Sequence, residues 1–371
     1  MTFDDIAAGY ATALVAGLGL PGTGVQLLQP APVPADDLAL WRLLDRLPSA
    51  TLYRDPGAPA DSLSGTYRRI LASLEIPAED RFTAAVGRRI ADEFARFLAS
   101  RPGRPPSATA YPALFRNWAL LHHPAVAGRG TTALAGMILE PLGAATIALL
   151  PYLDTTAEPP RPGRAPDWDD TVDDVTAALK AAPSREFTVD SDTIVTDTAG
   201  ELGEPAGLWG LSDPETEQAR RFAAAEFRLR VSAGHVLLRR PVPGPWFSSA
   251  VLGIAHATPD GPPWSPEGPL DWTTAFGILR YVTNALIVVD SLEVTVESAG
   301  PYGEEDQQII LANLGHGLWP LYLPGADCSF TPDGAMTVHL ATAPGTPVVL
   351  GVVALTIDAY LGRRPPAVSA G

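Results

Sequence analysis

The sequence predicts an α+β fold: a helical bundle at the N-terminus followed by an antiparallel β-sandwich or open β-barrel-like domain. Apolar residues recur at helical spacing up to about residue 185 and alternate with polar ones beyond it. Glu226–Ser232 sets Phe227, Leu229 and Val231 against Arg228, Arg230 and Ser232. Ser291–Glu297 repeats the pattern with Leu292, Val294 and Val296 against Glu293, Thr295 and Glu297. A side-chain period of two belongs to a strand with one buried face. Between the two regimes, Thr155–Pro166 holds four prolines in twelve residues, a composition that resists helix and sheet alike. The expected organisation is a helical domain over 1–154, a Pro-rich linker and acidic bridging helix over 155–185, a β-rich domain over 186–362 and a flexible tail over 363–371.

In the first half, residues 3–18 place Ile6, Tyr10, Leu14 and Leu18 four apart, with Thr2 as N-cap and Asp5 three residues on. Asp36–Leu47 opens with two aspartates at the positive end of the helix dipole and stops at Pro48. Leu63–Leu74, Glu79–Leu98 and Ala113–His122 carry further apolar stripes, Phe82, Val86, Ile90, Phe94 and Phe97 marking the second of these. Residues 131–153 contain a single charge, Glu140, in 23 residues, which is long enough and apolar enough to cross a bilayer. Glu140–Pro141 in the middle, with Gly136 and Gly143, favours a buried helix or two short ones. The alternative is a membrane-inserting segment stored inside the helical half, with Glu140 as its protonation switch. Asp167–Ala182 then reads as the acidic bridging helix.

Expected strands are Glu186–Val195, Glu226–Arg239, Phe247–Ala257, Ile278–Val289, Ser291–Glu297, Asp327–Phe330, Ala335–Ala341 and Pro347–Leu361. Thr331-Pro332-Asp333-Gly334 is a turn signal between two of them and fixes a hairpin. Pro347–Leu361 is apolar up to Asp358, as a strand buried on both faces would be.

No constellation of catalytic, metal-binding or nucleotide-binding residues stands out, and no cofactor is implied. Gly17, Gly19 and Gly22 spell a dinucleotide fingerprint, but helix precedes them where that motif needs a strand, so they read as a turn between helices. His122 and His123 adjoin at a helix end, where the dipole favours a charged imidazole. His235, His256 and His316 are the residues from which a hydrolase site would have to be built, with neighbouring carboxylates. Asp167, Asp169, Asp170, Asp173 and Asp174, and again Asp190, Asp192 and Asp197, cluster as solvated acidic faces, without the spacing of a calcium loop. Trp246, Phe247, Trp264, Trp272 and Trp319 concentrate in the β half and form the candidate interaction surface, because large aromatics anchor interfaces.

Composition narrows the partners. A net charge of −16 repels phosphate backbones and argues against nucleic acid. With 18% charged residues and aromatics to cover, a protein partner or self-association as a homo-oligomer is expected. One lysine beside many Arg, Ala, Pro and Gly residues points to a GC-rich bacterial genome such as an actinomycete's. Asp4 and Asp5 stand where a secretion signal carries basic residues, and Cys328 is alone, so a cytoplasmic location is expected, with signal-independent export as the alternative. Arg239-Arg240-Pro241 leading to Trp246-Phe247, then Thr274-Ala275-Phe276 before Leu292–Val296, resembles uncharacterised bacterial proteins with a helical first half and a closing apolar strand. The resemblance covers residues 225–361, with Val242–Pro245 inserted between the proline and the tryptophan. That family has no known activity, so the resemblance implies architecture and no site residues. The functional expectation is a non-catalytic binding, self-assembling or effector-like protein that recognises its partner through the β-rich half.

Overall fold

The computed structural model describes residues 2–22, 24–48, 61–75, 78–154, 162–193, 207–209, 215–259, 261–265, 272–273, 277–323, 325–343 and 345–363. In chain order the elements are α1 (Phe3–Gly17), β1 (Val25–Pro32), α2 (Asp37–Leu44), α3 (Leu63–Ala72), α4 (Ala78–Val86), α5 (Arg88–Ser100), α6 (Tyr111–His122), α7 (Ala127–Met137), α8 (Pro141–Ala148) and α9 (Val172–Lys180). There follow β2 (Arg185–Asp190), α10 (Glu217–Ala224), β3 (Phe227–Arg239), α11 (Ser249–Ala257), β4 (Tyr281–Ser298), α12 (Glu304–Asn313), β5 (Asp327–Phe330), β6 (Met336–Ala341), β7 (Val348–Thr356) and α13 (Ile357–Tyr360).

The fold is α+β, with one open antiparallel sheet instead of a sandwich or barrel among the described residues. Its spine is β4, 18 residues long. One edge of β4 pairs over residues 286–298 with β3. The other edge is divided: residues 281–289 pair with β7, and residues 293–298 pair with β6 of the predicted β5–β6 hairpin. β2 extends the sheet beyond β3, and β1 extends it beyond β7. The stretch expected to be wholly helical thus contributes an edge strand, and Pro30 and Pro32 suit an edge because they offer no ladder N–H.

The two environments of β4 account for the change of sequence pattern along it. Its first half is buried on both faces: Ala285, Ile287 and Val289 join one apolar cluster, while Val282, Leu286 and Val288 join another. A strand covered on both sides reads as a continuous apolar run. In its second half Leu292, Val294 and Val296 are buried, and Glu293 opposes Ser232 while Glu297 opposes Arg228 on the other face. The buried set changes from odd to even numbers at Ser291, whose φ of 52° is left-handed. β3 makes the same change, from Phe227, Leu229, Val231 and Ala233 to Val236. Ala233 pairs with Leu292 and His235 with Asp290, so the extra residue falls at the same level in both strands. The sequence expectation of two strands parting at Asp290 comes from this slip; the chain runs through as one.

α1 and α10 cover one face of the sheet, where Phe3, Ile6, Tyr10 and Leu14 pack with Phe222 and Trp319. The Thr2 cap forms as expected: its hydroxyl accepts from Asp5 N–H and the Asp5 carboxylate from Thr2 N–H. The glycine run after α1 leads into a strand, so it joins helix to strand and not two helices. The other face carries α2, α3, α9 and α11. A third cluster lies among α4–α8, with Phe82, Phe94 and Phe115 meeting edge-to-face. The expected helix 79–98 is broken at Gly87, where φ is 88° and a side chain would be strained.

Residues 131–153 fold as α7 and α8, which part around Glu140. α8 is apolar on all sides because it is sandwiched: Ala145 and Leu149 pack toward the sheet, while Ile147 and Ala148 pack into the α4–α8 cluster. Among the described residues no helix is long and apolar enough to cross a membrane. Phe247–Ala257, expected as a strand, is instead the helix α11, burying Val251, Leu252 and Ala255 at helical spacing. Its β-branched and aromatic content favours a strand, but packing against α3 and α8 decides. Pro347–Leu361 ends its strand at Thr356 and turns into α13. The bridging helix starts at Val172, behind a Thr171–Asp174 capping box. Residues 155–161 of the linker, 194–195 of one expected strand, Thr274–Phe276 of the resemblance and 364–371 of the tail lie outside the described residues.

Trp246 is wholly buried and touches Tyr67, Trp168 and Phe247, so it acts as core. Trp246→Ala is expected to lower unfolding free energy by about 3–5 kcal/mol, measured by urea denaturation; an interface anchor would leave it unchanged.

Candidate functional site

The aromatic residues expected at an interaction surface are mostly interior. Trp246, Trp264, Trp272 and Trp319 are all buried, and Phe247 is partly so. Trp319 sits against Phe3, Tyr10 and Phe222. Trp264, in the loop after α11, donates its indole N–H to Thr258 O at 2.7 Å, and the adjoining residues bond back to the end of α3. These rings hold long connections onto the core.

Glu140 stands at the break between α7 and α8 with its side chain 52% exposed, in a bidentate pair with Arg81 at 2.9 and 2.8 Å. The guanidinium holds its carboxyl below the usual range. A membrane switch requires a buried carboxyl that gains a proton on release, and this one is open to water and charged.

The acidic run 167–174 is also different from a solvated face. Asp167 and Asp170 are buried. Asp167 accepts from Tyr152 OH at 2.7 Å and Arg104 Nε at 2.9 Å, and its carbonyl accepts from the Trp246 indole at 2.8 Å. Asp170 takes both arms of the Arg239 guanidinium, and Asp169 accepts from Val242 N–H at 2.6 Å. Asp173 and Asp174 remain at the start of α9. Of the second acidic run, Asp190 pairs with Arg228 at 2.5 Å, and Asp197 lies outside the described residues.

Two of the three candidate hydrolase histidines meet carboxylates: His256 and Asp358 at 2.8 Å, and His235 and Asp290 at 3.8 Å. The first pair ties the end of α11 to α13, and the second lies across the β3–β4 ladder at its slip. His123, at the end of α6, meets Glu93 of α5 at 2.7 Å. No group of His, Cys, Asp or Glu suited to hold a metal ion occurs among the described residues. Burial pushes the lone Cys328 thiol up to about 11, which keeps it protonated and unreactive.

What the fold does assemble is an open cleft of about 490 Å³. Leu44 and Leu63, from the facing ends of α2 and α3, form one wall with Trp168. Arg240–Pro243, the exit of β3, forms a second. Phe247, Ser248 and Ser249 bring in the start of α11, and Thr283, Asn284 and Tyr360 complete the lining. The apolar residues supply area, while the guanidinium of Arg240, the Asn284 amide and the serine hydroxyls supply directional groups. Asn284 is where the β4–β7 register slips, between Thr283 and Ala285. Such a bulge re-aims a side chain out of the ladder, and bulges concentrate beside functional sites. Arg240 differs from its neighbour: Arg239 is spent on Asp170, whereas Arg240 is exposed and has no ion-pair partner among the described residues. Sequence reasoning noted the Arg-Arg-Pro string without separating the two roles. An asparagine inside an otherwise apolar strand was the available signal for the bulge.

Behind the α2–α3 wall, Asp45 accepts from Ser64 N–H at 2.8 Å and Ser64 OH at 2.5 Å. Burial outweighs these bonds and raises its carboxyl to about 6. The folded state thus keeps a proton that the unfolded chain loses near its ordinary value of 3.8. The stability from this proton is complete below the unfolded value and is lost as pH rises through the folded one. Asp45→Asn should therefore gain stability relative to wild type between pH 4 and pH 7 in urea titrations; a difference independent of pH would place the raised carboxyl elsewhere.

No family model, curated protein or solved structure matches this chain, so its cleft has to be understood from its own chemistry.

Proposed function

We propose that this chain is a binding protein whose ligand seats in the cleft between the α2–α3 wall, the Arg240–Pro243 segment and the start of α11. The cleft itself carries the proposal. At about 490 Å³ its volume falls within the roughly 300–1,000 Å³ of small-molecule sites, and its lining follows their pattern of apolar walls with a few convergent polar groups. Recognition then draws on the β-rich half through Arg240, Ser248, Asn284 and Tyr360, and on the helical half through Leu44 and Leu63. The His–carboxylate pairs tie elements to one another, which suits a scaffold role better than a catalytic one.

Titration with an environment-sensitive anilinonaphthalene dye tests the cleft. Saturable binding is expected with wild type and its loss with Ser249→Trp, which fills the mouth from an exposed position. Undiminished binding in that variant would remove the cleft from consideration.

A separate observation favours self-association. At the end of α6, Leu120 and Leu121 are 54% and 82% exposed, adjoining Pro124 and Ala125, which are also exposed. Contiguous apolar surface of this kind marks contacts. Light scattering coupled to size exclusion should show an oligomer at micromolar concentration that Leu121→Glu converts to monomer. A monomeric wild type would overturn this.

A further inference from the structure

We infer that the ligand of this cleft is an amphipathic oxyanion: a carboxylate or phosphate monoester head on an apolar body. The inference rests on the cleft being a binding site and adds the chemistry of its occupant. Three polar features fall on the lining with their bonding capacity unspent. Arg240 projects from the end of β3, and its planar fork of donors fits a carboxylate or phosphate oxygen pair in a way a point charge does not. Asn284, displaced from the ladder by the bulge, makes no hydrogen bond among the described residues and offers two amide donors. Ser248 makes no side-chain bond to the first turn of α11, which leaves its hydroxyl free to donate. Beside them on the same lining, Leu44, Leu63, Phe247 and Tyr360 offer apolar area without charge. A lining that combines one guanidinium and neutral donors with uncharged hydrocarbon suits a ligand with one anionic end and an apolar body.

Charge balance supports the assignment. The chain's −16 opposes anions in general, but charges beyond a Debye length of about 8 Å are screened at physiological ionic strength, so near groups decide. The carboxylates next to lining residues in the chain are already engaged: Asp167 by Arg104 and Tyr152, Asp169 by Val242 N–H, Asp170 by Arg239 and Asp358 by His256. Asp45, behind the α2–α3 wall, is bonded through both carboxyl oxygens to Ser64. Arg240 is thus the one formal charge on the lining.

Calorimetric titration of the full chain with decanoate, decyl phosphate, decanol and inorganic phosphate tests this. Decanoate or decyl phosphate should bind at least about tenfold more tightly than decanol, the scale of one charge-assisted hydrogen bond. Which of the two binds better identifies the head group. Arg240→Gln should remove that preference while leaving the urea midpoint unchanged. Asn284→Asp, which keeps the shape and adds a repelling charge, should abolish binding of both anions. Equal binding of decanol and the anions by wild type, or an Arg240→Gln variant that keeps the preference, would overturn the oxyanion assignment while leaving the cleft as a binding site. Binding of none of the decyl ligands would overturn both. Inorganic phosphate alone binding as tightly as decyl phosphate would overturn the apolar half of the assignment.

Discussion

The constraint on which the rest of the structure depends is the length of β4. Eighteen residues of strand are too many for one environment, and the chain supplies two. The first half lies between two helical layers with β7 alongside; the second has the β5–β6 hairpin beside it and one face open to water. β3, β6 and β7 pair with these halves directly, and β1 and β2 extend the sheet from β7 and β3. The α2, α3, α9 and α11 layer is needed only where the strand is apolar on both faces, and it is there that the cleft opens. Where the second face is charged, cross-strand partners such as Arg228 opposite Glu297 keep it wet.

A second tie holds the chain between its helical and β-rich stretches. Asp167–Asp170 runs in extended form against the Arg239–Trp246 segment, bonded through side chains and backbone: Gly244 N–H and the Trp246 indole donate to Asp167 O, and Asp169 N–H donates to Val242 O. Four consecutive residues thereby fix the segment that forms one wall of the cleft. A buried charge is tolerated only with its partners in place, so Asp167 and Asp170 specify this docking more than they stabilise it.

Much of the fold is legible in the sequence, because period and caps are local signals. The Thr2 box, the α3 stripe, β3, β6 and the hairpin turn all follow from residues within a few positions of one another. What fails is decided by distant contacts. β1 contains Pro30 and Pro32, and only β7 makes it a strand. α11 carries strand-forming residues and is helical because of what it packs against. Exposure fared worst: Trp264 lies between prolines in a long loop, yet it is buried because the loop folds back onto α3. Asp170 belongs to an acidic run, yet it is buried because Arg239 arrives from 69 residues away. The cleft is legible only as fragments, since its lining comes from seven separate stretches of chain.

The slip shared by Gly234 and Ser291 has a consequence for how such a chain can change its length. Removing one residue from β3 or β4 away from that level would turn the strand beyond it inside out: loss of Thr295 alone would send Glu297 toward hydrocarbon and Val296 toward solvent. Removing Gly234 and Ser291 themselves would leave every face where it is, because Leu292 would then follow Asp290, and His235 follow Ala233, in ordinary alternation. These two strands can therefore change length without exchanging faces only at this level, and two positions 57 residues apart behave as a single unit of heredity.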